Sequence, residues 1–325
     1  MTEVIDSFGR GITYLRISVT DRCNLRCIYC MPPEGVPQMS HSEILSYEEI
    51  GTIVQAAAQL GVNKVRLTGG EPLVRAELPK LVRMLSQIEG IEDLSLTTNG
   101  TILKKYALEL KQAGLSRVNI SLDTLKADKF RHITHFGELK DVLEGIDAAK
   151  EAGFHPVKIN TVVMRGVNDD EILDFARMTC QEGWHVRFIE LMPFKGVAAF
   201  VPSTKLRQHI NLLGKLESSM PLTGTGPATY YRLAGAKGTI GFISPLTETF
   251  FCSQCNRMRL TPDGRLRPCL LGENEIDLKT PLRNDAPMDK LKRLILKAVA
   301  SKPEHHPLIG DNFRLVKRKM SQIGG

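Results

Sequence analysis

The chain has 325 residues, of which 42% are hydrophobic and 24% are charged. This composition is that of a globular protein rather than a disordered or fibrous one, and the length allows one large domain or a large and a small one. No apolar run reaches membrane-spanning length and no apolar leader opens the chain, so no membrane partner is expected. The net charge of +7 suits an anionic partner, although a solvated basic surface explains it equally well.

Six of the seven cysteines fall into two sets of three. Clustered thiols that serve metals are typical of a reducing compartment, which predicts a cytoplasmic location. A basic nucleic-acid-binding protein with zinc knuckles is an alternative, but such proteins place aromatic side chains among the basic ones. Aromatic residues make up only 6% of this chain, so no nucleic-acid partner is expected.

The first predicted element, a strand over residues 14–19, leads into a loop with Cys23, Cys27 and Cys30. An odd number of thiols in a tight loop argues against a disulfide framework, whereas thiolates at this spacing suit an iron–sulfur cluster. Three cysteines leave one iron of a four-iron cluster open to chelate a small molecule. Spacing alone leaves a structural zinc site as an alternative, although no local histidine or fourth cysteine completes its ligand set.

The following 170 residues alternate predicted strands and helices. Further strands are predicted over residues 64–68, 93–97, 117–122, 157–163 and 186–191. Helices are predicted over residues 47–60, 78–88, 103–113, 139–152 and 171–182. Six βα units with short connections predict a parallel sheet with helices outside, and they fit an open partial barrel better than a closed eight-stranded one. Cys180, in the last of these helices, is expected to be an ordinary buried residue.

The pattern changes near residue 195, where proline, glycine, serine and threonine become frequent. A helical segment over 204–213, strand-like runs over 229–233 and 239–243 and a helix over 288–300 follow. We therefore expect residues 1–195 to form the partial barrel and residues 196–325 to form a smaller C-terminal α+β domain.

This C-terminal part carries the second cysteine set, Cys252, Cys255 and Cys269. A C-x2-C pair with one distant cysteine is a fair zinc pattern, so zinc stays open as an alternative. Because no histidine lies at a suitable local spacing, a second cluster with an open iron fits the set better. Arg257 and Arg259 alternate along a strand and share one face, where they can offset the charge of a cluster or bind one anion together.

Six sequence segments carry a family resemblance. They are LRISVTDR at 15–22, the cysteine loop with Tyr29 inside it, RLTGGEP at 66–72, LTTNG at 96–100, NISLD at 119–123 and RFIELM at 187–192. With them the chain resembles the radical SAM superfamily and, over essentially its whole length, the GTP 3′,8-cyclase (MoaA) family of molybdenum cofactor biosynthesis. The second cysteine set separates this family from radical SAM proteins with one cluster, and the terminal Gly324-Gly325 is a family trait.

The resemblance implies an α/β fold, a partial (β/α)6 parallel barrel of radical SAM type whose smaller C-terminal domain carries a second Fe–S cluster. It implies two [4Fe–4S] clusters, one on each cysteine set, and S-adenosyl-L-methionine (SAM) as a further cofactor. It assigns SAM binding to Tyr29, Gly70, Ser121 and Met192. It assigns GTP binding to Arg16, Arg66, Thr97, Lys158, Arg257, Met258 and Arg259.

The resemblance also implies the reaction. Reduction of the first cluster cleaves SAM, and the 5′-deoxyadenosyl radical starts the cyclisation of GTP to (8S)-3′,8-cyclo-7,8-dihydroguanosine 5′-triphosphate, the first step of molybdopterin biosynthesis. No catalytic side chain is assigned, because the SAM-derived radical carries the chemistry. A peptide maturase with an auxiliary cluster is the alternative within the superfamily, but its C-terminal module usually holds more than three cysteines.

Three partners follow from this interpretation: GTP as substrate, an electron donor, and the next-step cyclic pterin synthase of the MoaC type. A homodimer is one option for the assembly. The two terminal glycines form a slim segment that can thread into a crowded pocket, whereas chain ends are ordinarily disordered. The resemblance implies that this tail inserts towards the active site.

Overall fold

The structure is a computed structural model that describes residues 4–192, 199–220, 226–307 and 318–324. Six parallel strands form the centre of its sheet: β1 (Tyr14–Ser18), β2 (Lys64–Thr68), β3 (Asp93–Thr98), β4 (Arg117–Ser121), β5 (Lys158–Val163) and β6 (His185–Glu190). The connections contain α1 (Tyr47–Ala58), α2 (Leu78–Ser86), α3 (Leu103–Gln112), α4 (Ala127–Thr134), α5 (Leu139–Glu151) and α6 (Ile172–Gln181). These strands match the six predicted ones to within one residue at every end.

The helix α4 was not predicted from the sequence. It has only eight residues, and its apolar positions are too few to establish a helical period on their own. Its buried residues, Phe130 and Ile133, still attach it to the body of the protein.

Strands from the C-terminal part extend both edges of the central sheet. On one edge β10 (Arg257–Leu260) runs parallel to β1, followed by antiparallel β11 (Arg265–Arg267) and β12 (Ile276–Asp277). On the other edge β9 (Ile240–Ile243) runs parallel to β6, followed by antiparallel β8 (Thr229–Leu233) and β7 (Leu216–Ser219). The twelve strands of the described residues thus form one sheet, which contains strands from before and after residue 195. A domain boundary at this residue stays a prediction.

Three more helices lie in the C-terminal part: α7 (Ser203–Ile210), α8 (Lys279–Arg283) and α9 (Met288–Ala300). Short 3-10 helices lie at Pro72–Val74, Asp169–Glu171, Thr249–Phe251 and Met320–Gln322. In the part of the chain that the structure describes, no helix has both the length and the hydropathy to cross a membrane.

Alternation along the strands separates the core from the site. In β1, Leu15 and Ile17 are buried among the apolar side chains of the main core. Tyr14 and Arg16, which alternate with them, line a cavity on the other face of the sheet. Successive side chains of a strand point to opposite faces of the sheet. One face is therefore apolar and packs against the helices, and the other face carries the polar side chains.

Candidate active site

A cavity of about 350 Å³ lies on this polar face of the sheet. Its wall includes side chains from all six central strands and also Ile243 of β9 and Arg259 of β10. Strands from the two ends of the central sheet can face one cavity only if the sheet curls around it. The six strands therefore form an open barrel, as predicted, and the cavity is its interior.

The first cysteine set lies on the wall of this cavity. Cys23, Cys27 and Cys30 are free thiols, and the amide of Cys30 donates to the carbonyl of Cys27 over 2.8 Å. Burial, together with the charges of Glu71 and Cys30, raises the pKa of Cys23 to about 12. Burial also raises the pKa of the Cys27 thiol, so a soft metal group that binds these two cysteines must displace their protons.

The loop that carries these cysteines is tied to neighbouring elements. The amides of Arg26 and Ile28 donate to carbonyls at the end of α4, over 2.8 and 2.9 Å. The hydroxyl of Tyr29 donates to Oδ2 of Asp123 over 2.7 Å, and the amide of Val162 donates to Oδ1 over 2.8 Å. Burial raises the pKa of Asp123 to about 6. Asp123 therefore fixes the aromatic ring of the cysteine loop above the ends of β4 and β5.

All four residues assigned to SAM line the cavity: Tyr29, Gly70, Ser121 and Met192. Gly70 allows the backbone at the end of β2 to approach the backbone of Arg22 closely, because an added Cβ would clash with the Arg22 carbonyl oxygen. The amide of Gly70 also donates to Thr20 over 2.8 Å. Gly70 therefore brings the β2 end into contact with the start of the cysteine loop.

The second cysteine set, Cys252, Cys255 and Cys269, lines the same cavity. Burial raises the pKa of the Cys255 thiol, but the charges of Arg257 and Lys302 outweigh burial and bring it down to about 6. The ammonium of Lys302 donates to the carbonyls of Arg257 and Pro268 over 2.8 and 2.6 Å. The environment of Cys255 therefore favours the thiolate form that a metal group needs, whereas burial raises the pKa of Cys252.

A four-iron cluster bonds each cysteine through a different iron, so the sulfurs need not converge on one point. The described residues contain no group of three or more His, Cys, Asp or Glu side chains that could hold a single metal ion. The chemistry of both donor sets, three thiols each beside one cavity, fits iron–sulfur clusters.

Cationic side chains fill the wall between the two cysteine sets. Several of them lie close enough to repel one another: burial and the charges of Arg66, Arg257 and Arg187 lower the pKa of Arg16 to about 10, against Tyr14, which raises it. Burial and the charges of Arg187, Arg117 and Arg66 lower the pKa of Lys158 to about 7. So many buried cations favour a polyanion in the cavity.

Six of the seven residues assigned to GTP line the cavity: Arg16, Arg66, Thr97, Lys158, Arg257 and Arg259. Arg66 donates to the hydroxyls of Tyr14 and, over 3.3 Å, Thr97, which fixes its guanidinium. Met258 differs from these, because its side chain is only 1% exposed and packs in the main core. A contact of Met258 with a ligand would therefore come from its backbone.

Sequence reasoning missed several cavity residues, among them Arg187 and Tyr230. Both are buried, and Arg187 interacts with the Tyr230 hydroxyl by charge and by a hydrogen bond. A signal for Arg187 was present: it is a charged residue inside a strand of otherwise apolar character, as are Arg66 and Lys158. Tyr230 lies on β8, which joins this sheet through its neighbour β9, and no local pattern indicates that β9 pairs with β6.

The tail enters the barrel mouth at Gly324. The guanidinium of Arg259 donates to its carbonyl oxygen. Gly324 has φ +76°, and a Cβ there would lie 2.5 Å from Oγ1 of Thr68. The insertion that the resemblance implied is present for Gly324, whereas Gly325 lies outside the described residues.

Cys180 corrects a prediction. We expected it to be buried, but it is exposed on α6. The residue lies on the outer side of this helix, whose buried side chains include Phe175, Ala176 and Thr179.

Comparison with known proteins first defines the class. Residues 17–179 match the family model of the radical SAM superfamily, and residues 184–308 match that of Molybdenum Cofactor Synthesis C. The fold is similar to that of SuiB of Streptococcus suis bound to S-adenosylmethionine, with a TM-score of 0.61 over 86% of this chain and 67% of that chain at 15% identity. Fold and family model together are those of a radical SAM protein, which confirms the predicted fold class.

Relatives of known sequence then define the family. A GTP 3′,8-cyclase of Moorella thermoacetica is 52% identical over 324 residues, which cover 98% of this chain and 99% of the relative. A GTP 3′,8-cyclase of Pelotomaculum thermopropionicum is 53% identical over 327 residues, which cover 98% and 99%. The chain belongs to the GTP 3′,8-cyclase family.

Proposed function

We propose that this chain converts GTP to (8S)-3′,8-cyclo-7,8-dihydroguanosine 5′-triphosphate, the first step of molybdopterin biosynthesis. One observation carries the proposal beyond family membership: two three-cysteine sets face the same cavity, and buried cations lie between them. A radical source at one end, a binding metal at the other and a polyanion site between them are what this reaction requires.

The cofactors we propose are SAM and two [4Fe–4S] clusters. Cys23, Cys27 and Cys30 would hold the first cluster, and Cys252, Cys255 and Cys269 the second. When bound, the first cluster and SAM together supply a 5′-deoxyadenosyl radical that can abstract a hydrogen atom from the substrate. The protein itself binds, orients and shields the reactants.

The first task of the protein is to orient SAM. Tyr29 has its hydroxyl fixed by Asp123, so its ring is held beside the cysteine loop. The carboxylate of Glu71 accepts from Thr98 and the amide of Asn99, both over 2.7 Å, and so joins the ends of β2 and β3. We propose that Gly70, Ser121 and Met192 complete the SAM site on these strand ends.

The second task is to anchor the triphosphate and direct the base. We propose that Arg16, Arg66, Thr97 and Lys158 contact the phosphates, because they reach the cavity from adjacent strands. Arg257, Arg259 and the backbone of Met258 lie beside the second cysteine set and would hold the remaining part of GTP. Fixing both ends of the nucleotide restricts its motion near the radical source, which lowers the entropic part of the barrier.

An assay on anaerobically reconstituted protein tests the two clusters and their roles. We expect about eight iron and eight sulfide per chain from two cubane clusters. Replacing Cys27 by Ala should abolish SAM cleavage, whereas replacing Cys255 by Ala should keep SAM binding and remove productive GTP binding. The exposed Cys180→Ala is the matched control and should leave both unchanged.

Stoichiometric zinc with no sulfide would contradict the cluster assignment. Full cyclisation by the Cys255 variant would refute the substrate role of the second set.

The remaining partners are also proposals. The enzyme needs an electron donor for the first cluster, and its product passes to the cyclic pterin synthase of the MoaC type. Free thiols at both sets suit the reducing cytoplasm. A homodimer remains one option for the assembly.

A further inference from the structure

An exposed phenylalanine lies beside the first cysteine set. Phe136, in the loop between α4 and α5, is 53% exposed. The guanidinium carbon of Arg26 lies 5.9 Å from the centre of its ring. Arg26 belongs to the cysteine loop itself, directly before Cys27. A large apolar ring at the surface thus adjoins the loop that would hold the radical-generating cluster.

The Phe136 loop is fixed against the cysteine loop. The hydroxyl of Thr134 donates to the carbonyl of Phe136 over 2.7 Å. Gly137 has φ +78°, and a Cβ there would lie 2.9 Å from Cδ2 of Leu25. Together with the two backbone hydrogen bonds from Arg26 and Ile28, these contacts hold the ring in a defined place rather than on a free loop.

One positive charge, that of Arg26, adjoins the ring. Arg26 donates to the carbonyls of Cys23 and Leu25 over 2.6 and 2.8 Å, and among the described residues no carboxylate forms an ion pair with it. Glu138, the acidic residue closest in sequence to the ring, is already paired with Arg131 through two oxygens, over 2.8 and 2.9 Å. The charge of Arg26 is therefore left to act on a partner, and it favours an acidic one.

Phe136 and Arg26 also offer a short route for an electron to the first cysteine set. Arg26 lies next to the Phe136 ring, is joined to Cys27 by a peptide bond and donates a hydrogen bond to the carbonyl of Cys23. A carrier seated on this ring is thus one residue away from two of the three cysteines.

We propose that Phe136 and Arg26 form the docking site for a small acidic one-electron carrier protein that reduces the first cluster. The proposal rests on the proposed function, which requires such an electron but does not say where it enters. An exposed aromatic ring supplies contact area, and the uncompensated arginine supplies orientation and a faster encounter.

Turnover with two reductants tests the site. Reconstituted protein is assayed with a reduced, negatively charged ferredoxin and, separately, with dithionite, which needs no docking surface. Phe136→Glu should raise the KM for ferredoxin about tenfold and leave turnover with dithionite unchanged. Phe136→Leu should retain most of the affinity, since it keeps an apolar side chain.

Phe250→Ala is the matched control, because Phe250 is 69% exposed beside the second cysteine set. It should leave both assays unchanged. An unchanged KM for ferredoxin in Phe136→Glu would overturn the proposal, as would an equal loss in Phe250→Ala. Equal losses with both reductants, or a change of oligomeric state in the Phe136 variant, would assign the ring to the fold or to a contact between copies. Turnover of the parent protein with dithionite tests the proposed function separately.

Discussion

Lys158 shows how burial sets the charge of a single side chain in this cavity. Burial and three neighbouring arginines bring its pKa from 10.5 to about 7. Between these two values the unfolded chain holds a proton that the folded protein lacks, so the free protein gains stability as the pH rises through this window. Binding of a triphosphate has the opposite dependence, because the anion favours the protonated lysine.

We therefore expect GTP affinity to fall by up to about 25-fold between pH 6.5 and pH 8.5, from the titration of one group near pH 7. Lys158→Met should weaken GTP binding at pH 6.5, flatten this pH dependence and raise the melting temperature of the free protein. Calorimetric titration and thermal unfolding measure the two effects. The phosphates of GTP titrate equally in both proteins, so a pH profile that is the same in parent and variant would contradict the role of Lys158.

Arg257 is a second single residue whose role can be tested. It lines the cavity, whereas Arg265, on the next strand of the sheet, is paired with Asp277. Arg257→Ala should weaken GTP binding by about 1.5–3 kcal/mol, the usual cost of losing a charged hydrogen bond, and should spare SAM binding. Arg265→Ala is the matched control and should change neither. Iron content must be equal in all three proteins, because Arg257 also favours the thiolate of Cys255. Equal GTP affinity in the parent and in Arg257→Ala would show that this arginine makes no contact with the substrate.

The C-terminal tail is a segment with a specific expected role in turnover. The segment around Gly324 lies between the ends of β1 and β2 and is held by Arg259 of β10. Deleting Gly324 and Gly325 should leave both clusters and SAM binding intact and stop the cyclisation of GTP. Product formation by the truncated, fully reconstituted protein is the measurement, and undiminished turnover would show that the tail is dispensable.

A pair of substitutions separates the two reasons for glycine here. Gly324 and Gly9 both have φ +76°, but an added Cβ meets Thr68 at Gly324 and nothing within 4 Å at Gly9. Gly324→Ala should therefore lower turnover by up to about a hundredfold, the effect of displacing a catalytic contact by about an ångström. Gly9→Ala should leave turnover unchanged. Equal effects would attribute the result to backbone strain.

Whole-molecule comparison shows which properties a sequence can predict. The six central strands and the cysteine sets were predicted, because alternation and short spacings are local properties. The addition of C-terminal strands to both edges of the sheet was not, since the pairing of Tyr14 with Arg257 joins residues that no local pattern relates. The cavity position of Tyr230 was missed for the same reason: it depends on where β8 lies in that sheet.

The pairing of β10 with β1 has a consequence for the order in which the protein forms. The strands β1 to β6 can pair one after another as the chain lengthens. The second edge of β1, however, pairs with β10, which lies more than two hundred residues later in the sequence. Until that neighbour arrives, its edge is open to other chains, and a partly synthesised molecule is prone to aggregate there. The cysteine loop that follows β1 is complete at this stage, whereas the second cysteine set is not. The residues proposed to bind the first cluster and SAM, which end at Met192, are thus synthesised before the last residues proposed to bind GTP, Arg257, Met258 and Arg259.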